Sequence, residues 1–403
     1  MSGRIKVATV ITRMAAGAGG VALRGALAMD PARFEVTVVA GGASVTGKHT
    51  STGHGMLLGA DAVRDAAEGD LLSQAYGAGL PVVRVASLVP EISPTHDQAA
   101  LRTLRTFLAE GRFDVVHTHS AKAGVLGRRA AARAGVPRIV HTLHGFPFHD
   151  FQPAWRRAAY VAIERRLGRD THMFLAIGTA VAAEAVRLRI ALPERVRTIP
   201  PAVDDLPARS GLAARGLARR RLDLPTGLRL VGTVGRIDYQ KAPRDWVDAL
   251  ASIEADDVWG MWIGDGPMRE DLLAYARKRG VDRRLVVLGY RDDVREILPA
   301  FDVFVMASRY EGLPCVLIEA IQAQVPVVAT AVNAVPDVIV PGETGLLVPP
   351  GRPELLGRAV RYLLDAPETA ARMSRAARDR VADRYTADVL GTVLDQTYSG
   401  SLA

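Results

Sequence analysis

Glu311 and Glu319, with seven residues between them, bracket a segment able to hold a phosphorylated ligand. Residues 303–307 read as a short buried strand, and Gly312 permits a tight turn just beyond its end. Pro314 suits the first position of a helix, where its missing N–H costs nothing. The free backbone N–H groups of Gly312, Leu313 and Cys315 would then present the positive end of a helix dipole, a ready site for phosphate. Glu311 stands just ahead of that helix. Glu319 lies more than a turn inside it, where a carboxylate can take paired hydrogen bonds from a diol such as a ribose. Singly, Glu319 reads as an ordinary surface residue and Glu311 as a partner of the helix dipole. Together, after a strand of this kind, they favour a ligand site.

A second set follows the strand pattern at 229–234. Arg236 and Lys241 are five apart on a loop led by Gly235 that runs into a helix. A pyrophosphate leaving group gains negative charge as its bond breaks, and an arginine fork with a lysine point charge can neutralise it without a metal. A third candidate is His144, at the end of a strand over 139–142. A neutral imidazole there can bond a hydroxyl or a phosphate. His117 and His119, alternating near another strand end, are weaker candidates of the same kind. The glycine-rich stretch 17–20 lacks both the Gly-x-Gly-x-x-Gly spacing and the Gly-Lys-Ser/Thr ending, so Gly19 and Gly20 offer close backbone approach and little more. No spacing of His, Cys, Asp or Glu matches a metal-ligand set.

These residues need strand ends to carry them, and the rest of the 403-residue chain supplies the pattern. Short Val/Ile/Ala runs at 6–11, 34–40, 81–85, 115–117, 139–142, 174–177 and 196–199 alternate with helical stretches, including 21–29, 97–110, 121–134 and 179–189. Residues 41–60, with Lys48, His49 and His54, read as a loop rich in Gly, Ser and Thr. Residues 205–222 break the periodicity and mark a domain boundary. The alternation resumes at 229–234, 258–263, 284–288, 303–307, 327–330 and 345–348, and a helix-like tail covers 384–398. This is the order of two doubly wound α/β domains, whose ligands bind beyond the carboxyl ends of the strands.

Composition agrees. Apolar residues make up 49% and aromatics only 5%, as in parallel sheets covered on both faces. Scarce aromatics argue against a nucleic-acid partner, which would want stacking platforms. The net charge of +8 points to anionic partners: phosphates or an anionic membrane surface. Arginines concentrate at 128–138 and 156–169. The single cysteine, Cys315, fits a reducing compartment. No run reaches the apolar length of a spanning helix or shows a cleavable leader. The expected location is cytoplasmic, peripheral at the inner face of the membrane.

Glu311 and Glu319, the Gly235-Arg236…Lys241 loop, the turn Gly264-Asp265-Gly266-Pro267 and the segment 342–348 together resemble the retaining glycosyltransferases of family 4, which have the GT-B fold. The resemblance spans nearly the whole chain and is strongest over 230–350. Residues 117–124 and His144-Gly145-Phe146 are similar to the bacterial exopolysaccharide and lipid-linked-sugar branch. It implies two Rossmann-like domains facing across a cleft: 1–203 for the acceptor, 204–383 for the nucleotide sugar, and a helix over 384–403 returning to the first domain. By position, Arg236 and Lys241 would hold the donor diphosphate and Glu319 the ribose. Glu311 would contact the sugar, supported by the backbone of Gly312 and Leu313. His144 would sit by the donor sugar, Tyr290 and Arg291 would line the base pocket, and Gly19 and Gly20 would match an N-terminal glycine loop.

The resemblance also implies a co-substrate and no cofactor: a nucleoside-diphosphate hexose, with uridine the usual base. Its acceptor would be a lipid-linked saccharide or a small molecule. The reaction would be metal-free and front-face, with the leaving diphosphate taking the acceptor's proton. Val21 replaces a glutamate that often follows the glycine pair, Lys241 is followed by Ala242 rather than glycine, and 41–60 is enlarged. A sugar-nucleotide epimerase on this fold, or a non-catalytic nucleotide-sugar-binding protein, are the alternatives.

Overall fold

Valine- and isoleucine-rich runs buried on both faces form the central strands of two mainly parallel sheets. The computed structural model describes residues 3–42, 56–57, 71–148, 152–203, 211–225 and 227–400. The chain divides into one unit of Met1–Ala202 with Ala387–Ala403, and a second of Val203–Thr386.

The first unit holds β1 (Ile5–Ile11), β2 (Phe34–Gly41), β3 (Met56–Leu57), β4 (Val82–Val85), β5 (Val115–His119), β6 (Arg138–Leu143), β7 (Met173–Ala176) and β8 (Val196–Thr198). Their order is β3-β4-β2-β1-β5-β6-β7-β8, parallel except for β3, which runs antiparallel to β4. The second unit holds β9 (Arg229–Val234), β10 (Val258–Ile263), β11 (Leu285–Gly289), β12 (Val303–Met306), β13 (Val327–Thr330) and β14 (Leu346–Val348), ordered β11-β10-β9-β12-β13-β14 and parallel throughout. In each unit the order reverses beside the first strand, between β1 and β5 and between β9 and β12. A parallel sheet opens a crevice at that point, beyond its strand ends.

The core of the second unit fixes its crevice. Trp246 and Trp262 are fully buried and meet edge to face, with ring centroids 5.5 Å apart. The Trp262 indole donates to the carbonyl of Gly235, 2.9 Å away, so the loop after β9 is tied to the core. Gly232 is glycine because a Cβ would lie 2.2 Å from the Phe301 ring. That ring leads into β12, so β9 and β12 come together over it.

In the first unit, the returning helix Ala387–Ser399 packs on the helix Ala16–Leu27. A Cβ on Gly25 would fall 2.8 Å from Leu394, and one on Gly391 3.0 Å from the Cβ of Ala28. Tyr398 in the returning helix is buried, and its hydroxyl meets His117 Nδ1 at 2.6 Å. Arg33 pairs with Asp395, and Arg138 donates to the carbonyls of Thr397 and Gly400.

The glycines at 17–20 stand in the opening turns of the helix Ala16–Leu27, not in a loop before a helix beginning at 21. A Cβ at Gly19 would lie 2.8 Å from the Met14 carbonyl carbon, so glycine lets the helix start close against the chain leaving β1. Residues 212–221, read as part of a break in pattern, form the helix Leu212–Arg221. Of its residues only Ala218 is buried, and arginines fix it instead: Arg215 pairs with Asp302 at 2.5 Å, and Arg219 donates to the Leu228 carbonyl at 2.5 Å. Such a helix shows no apolar stripe to read. Of the loop read at 41–60, residues 43–55 and 58–60, with Lys48, His49 and His54, lie outside the described residues, as do 204–210 of the boundary region.

Candidate active site

The loop after β9 begins with Gly235 at φ 154°, and it needs glycine opposite as well. A Cβ on Gly264 would sit 2.1 Å from the Gly235 oxygen, and one on Gly266 2.4 Å from the Ile237 oxygen. The Gly264–Pro267 turn therefore backs this loop. Asp238 caps the 3-10 turn Tyr239–Lys241, accepting from the Lys241 N–H at 3.1 Å. Its other oxygen holds the exposed guanidinium of Arg236 at 2.5 Å. Arg309, just past β12, clamps the turn: its N–H reaches the Gln240 carbonyl at 2.8 Å, and its guanidinium lies 4.3 Å over the Tyr239 ring and 3.3 Å from Asp245.

Glu311 is held from three sides. Its side chain is only 6% exposed. Lys241 Nζ meets Oε1 at 2.5 Å, and Gln240 Nε2 donates to Oε2 at 2.9 Å. Its own N–H donates to Asn333 Oδ1 at 2.9 Å. Burying a carboxylate without such hydrogen-bond partners is costly. Pro314 stands in extended conformation immediately ahead of the helix Cys315–Gln322. Among the described residues no protein acceptor takes the N–H of Gly312 or Leu313. Unpaired N–H groups beside a helix start are the kind of arrangement able to accept an anion.

Glu319, inside that helix, accepts from Arg295 Nε and Nη2, both at 3.3 Å. Tyr290 follows β11 and is 77% exposed, and Arg291 is locked in a two-point contact with Asp293 at 2.7 and 2.6 Å. The structure thus joins Lys241 to Glu311 directly and Arg236 to the same loop through Asp238. It sets Glu319, Tyr290 and Arg291 at the same carboxyl edge of the second sheet. Gly19, Gly20 and His144 belong to the first unit.

Sequence reading passes over Asp238, Gln240, Arg295 and Asn333. Asp238 carries a usable signal, an aspartate three residues before the backbone N–H it caps. Gln240, Arg295 and Asn333 reach their partners across 71, 24 and 22 residues, and no spacing rule connects them.

In the first unit, His144 follows β6, and its Nε2 shares one proton with Nδ1 of His119 at 3.0 Å. His117 lies beside His119, ring centroids 4.2 Å apart, and is bound at both nitrogens, by Tyr398 at 2.6 Å and Thr142 at 2.7 Å. His141 meets the Thr118 hydroxyl at 2.8 Å. Burial holds all four imidazoles neutral. It lowers His144 to about 4 and, with the charge of His144 adding to it, His117 to about 3. Burial and then the neighbouring rings push His119 well below its ordinary value, and burial and then Arg128 do the same for His141. His117 is a structural tie between β5, β6 and the returning helix. His144, half-buried, is the ring with access to solvent.

Comparison with known proteins identifies the family of the chain. Residues 16–202 match the family described as "Glycosyl transferase 4-like domain", and residues 215–380 match "Glycosyl transferases group 1". The Escherichia coli UDP-Gal:alpha-D-GlcNAc-diphosphoundecaprenol alpha-1,3-galactosyltransferase is 31% identical over 62% of this chain and 66% of its own length. The 2-deoxystreptamine glucosyltransferase of Streptomyces kanamyceticus is 31% identical over 67% of this chain and 72% of its own. Among solved structures, Anabaena HepE in complex with UDP and glucose superposes with a TM-score of 0.81 at 17% identity, covering 99% of this chain and all of that one.

The histidine cluster sets a pH dependence. The unfolded chain takes up protons on these rings as pH falls through about 6.5, while the folded state refuses them until about 4 or 3. Their contribution to stability is therefore complete above pH 6.5 and is lost as pH falls below it. The melting temperature should be level from pH 8 to 7 and drop between pH 6.5 and 5, above the ordinary carboxylate range. A melting temperature unchanged down to pH 5 in a calorimetric scan would contradict the neutral cluster.

Proposed function

The chain belongs to the family 4 glycosyltransferases of GT-B fold, and from that premise we propose that it moves a hexose from a uridine diphosphate sugar to an acceptor hydroxyl with retention at the anomeric carbon. The observation that carries this reading is the contact of Lys241 with Glu311. It sets a cation suited to a leaving diphosphate against a carboxylate suited to a sugar, at the switch point of one sheet.

In the proposed reaction the diphosphate settles on Arg236, Lys241 and the N–H groups of Gly312 and Leu313. Glu319, oriented by Arg295, takes the ribose hydroxyls, and Tyr290 and Arg291 border the base. The bond from the anomeric carbon to the phosphate oxygen breaks. The acceptor oxygen bonds to that carbon on the same face, and its proton passes to the departing phosphate oxygen. Arg236 and Lys241 neutralise the charge that develops, which removes the need for a divalent cation. Glu311 hydrogen-bonds the sugar and stabilises its oxocarbenium character. In the first unit, the neutral ring of His144 is suited to hydrogen-bond a hydroxyl or a phosphate.

The acceptor we propose is a lipid-linked saccharide or a small polyol metabolite, placing the product in polysaccharide, glycolipid or glycosylated-metabolite synthesis. The names of the two relatives support these two classes. A peripheral site at the inner face of the membrane fits the helix Ala154–Gly168. Trp155 is 74% exposed and Ile163 45%, flanked by exposed Arg156, Arg165, Arg166 and Arg169. That face suits an anionic lipid interface. Its orientation is fixed from beneath by the buried pair of Glu164 with Arg128 at 2.7 Å, and removing one partner alone would cost about 3–5 kcal/mol by stranding the other charge. Among the described residues no helix is long and apolar enough to cross a membrane.

Two experiments test these statements. Glu311→Ala should lower kcat by about 10²-fold or more, assayed with uridine diphosphate hexoses, acceptor and EDTA present. Full transfer by that variant would overturn the site assignment, and wild-type turnover abolished by EDTA would overturn metal independence. Wild-type protein should float with anionic vesicles at low salt, and Trp155→Ala should reduce the bound fraction several-fold. Wild-type protein that stays at the bottom of the gradient would remove the membrane from the account.

A further inference from the structure

Asn333 sits in the turn between β13 and the short helix Val335–Val338, with φ at 43°. A non-glycine residue in the left-handed region is strained, and asparagine is among the few that tolerate it. Glycine would form this turn more easily. What glycine cannot do is accept a hydrogen bond through a side chain, and Asn333 Oδ1 accepts the N–H of Glu311 at 2.9 Å. The same segment grips the Glu311 loop at its other end, where Thr330 Oγ1 donates to the Ser308 carbonyl at 2.6 Å. The chain leaving β13 thus holds the chain leaving β12 at residues 308 and 311. These strands are neighbours, with Phe304 opposite Val327.

We propose that Asn333 is a positioning residue for sugar transfer: it accepts strain in its own backbone in order to fix the backbone of Glu311. The inference rests on the role given to Glu311 above. Of the three groups on Glu311, Lys241 is the one the incoming diphosphate would draw away. Gln240 on the carboxylate and Asn333 on the backbone then keep the carboxylate aimed. Holding the peptide at residue 311 also fixes where the adjacent N–H groups of Gly312 and Leu313 point. A small displacement of either would misplace sugar and diphosphate together.

An ordinary turn residue and a positioning residue respond differently to Asn333→Gly. Relief of the strained φ should leave the melting temperature unchanged or raise it in both cases. If Asn333 positions Glu311, kcat should fall about 10-fold while KM for the donor stays within about 3-fold. Asn333→Asp, which keeps an acceptor oxygen and tolerates the same backbone, should restore kcat to within about 3-fold of wild type. Asn333→Ala, which keeps the strain and lacks the acceptor, should lose both kcat and melting temperature. Wild-type kcat in Asn333→Gly, or an Asn333→Asp variant as slow as Asn333→Gly, overturns the proposal. Glu311→Ala run in the same assay separates the two readings. If it is inactive while Asn333→Gly turns over normally, only the positioning role fails; if it transfers fully, both fall.

Discussion

The second unit is organised around one buried contact, that of Lys241 Nζ with Glu311 Oε1. The two residues are 70 apart in sequence and come from loops after β9 and β12. Their meeting needs those strands side by side, which Gly232 permits by leaving room for Phe301. It needs the first loop held at its root, where Trp262 binds the Gly235 carbonyl, and at its tip, where Arg309 covers Tyr239. It needs the second loop held by Asn333 and Thr330. Taking an ammonium and a carboxylate out of water is costly unless geometry and further hydrogen bonds offset it, and removing one partner leaves the other stranded. In the proposed reaction this pair exchanges partners. An anion that satisfies Lys241 better than Glu311 does can take its place, while Gln240 keeps the carboxylate bonded.

The first unit solves a different problem with the same economy of charge. Four histidines lie in and after β5 and β6, close enough that protonating one would penalise the next. They are tolerated because each is neutral and bonded: His117 to Tyr398 and Thr142, His141 to Thr118, His119 to His144. The returning helix contributes Tyr398 to this network, so the last turns of the chain are part of the first unit's interior. His144, alone of the four, combines a neutral ring with partial access to solvent. That is the state in which an imidazole can serve a hydroxyl or phosphate without adding charge.

Much of this architecture is legible in the sequence. Parallel strands covered on both faces appear as short Val/Ile runs, so β1, β2, β9, β10 and β13 stand out to within a residue or so. Glu311, Lys241 and Arg236 stand out in the sequence because they follow strands, and the structure joins Lys241 to Glu311 and Arg236 to the same loop through Asp238. What stayed hidden was of two kinds. The helix Leu212–Arg221 is arginine-anchored and has no apolar stripe, and the glycines at 17–20 form helix rather than loop because packing against residue 14 decides their conformation. Gln240, Arg295 and Asn333 act through side-chain contacts made only by the fold, so no local pattern distinguishes them from solvated polar residues.

The central claim is that Lys241 leaves Glu311 to hold the donor diphosphate. Calorimetric titration of uridine diphosphate into wild type and Glu311→Gln tests it most directly. Glutamine keeps the shape and releases the lysine from its carboxylate, so the variant should bind the nucleotide several-fold more tightly than wild type while its transfer activity collapses. Unchanged or weaker binding by Glu311→Gln, together with retained transfer, would contradict the account.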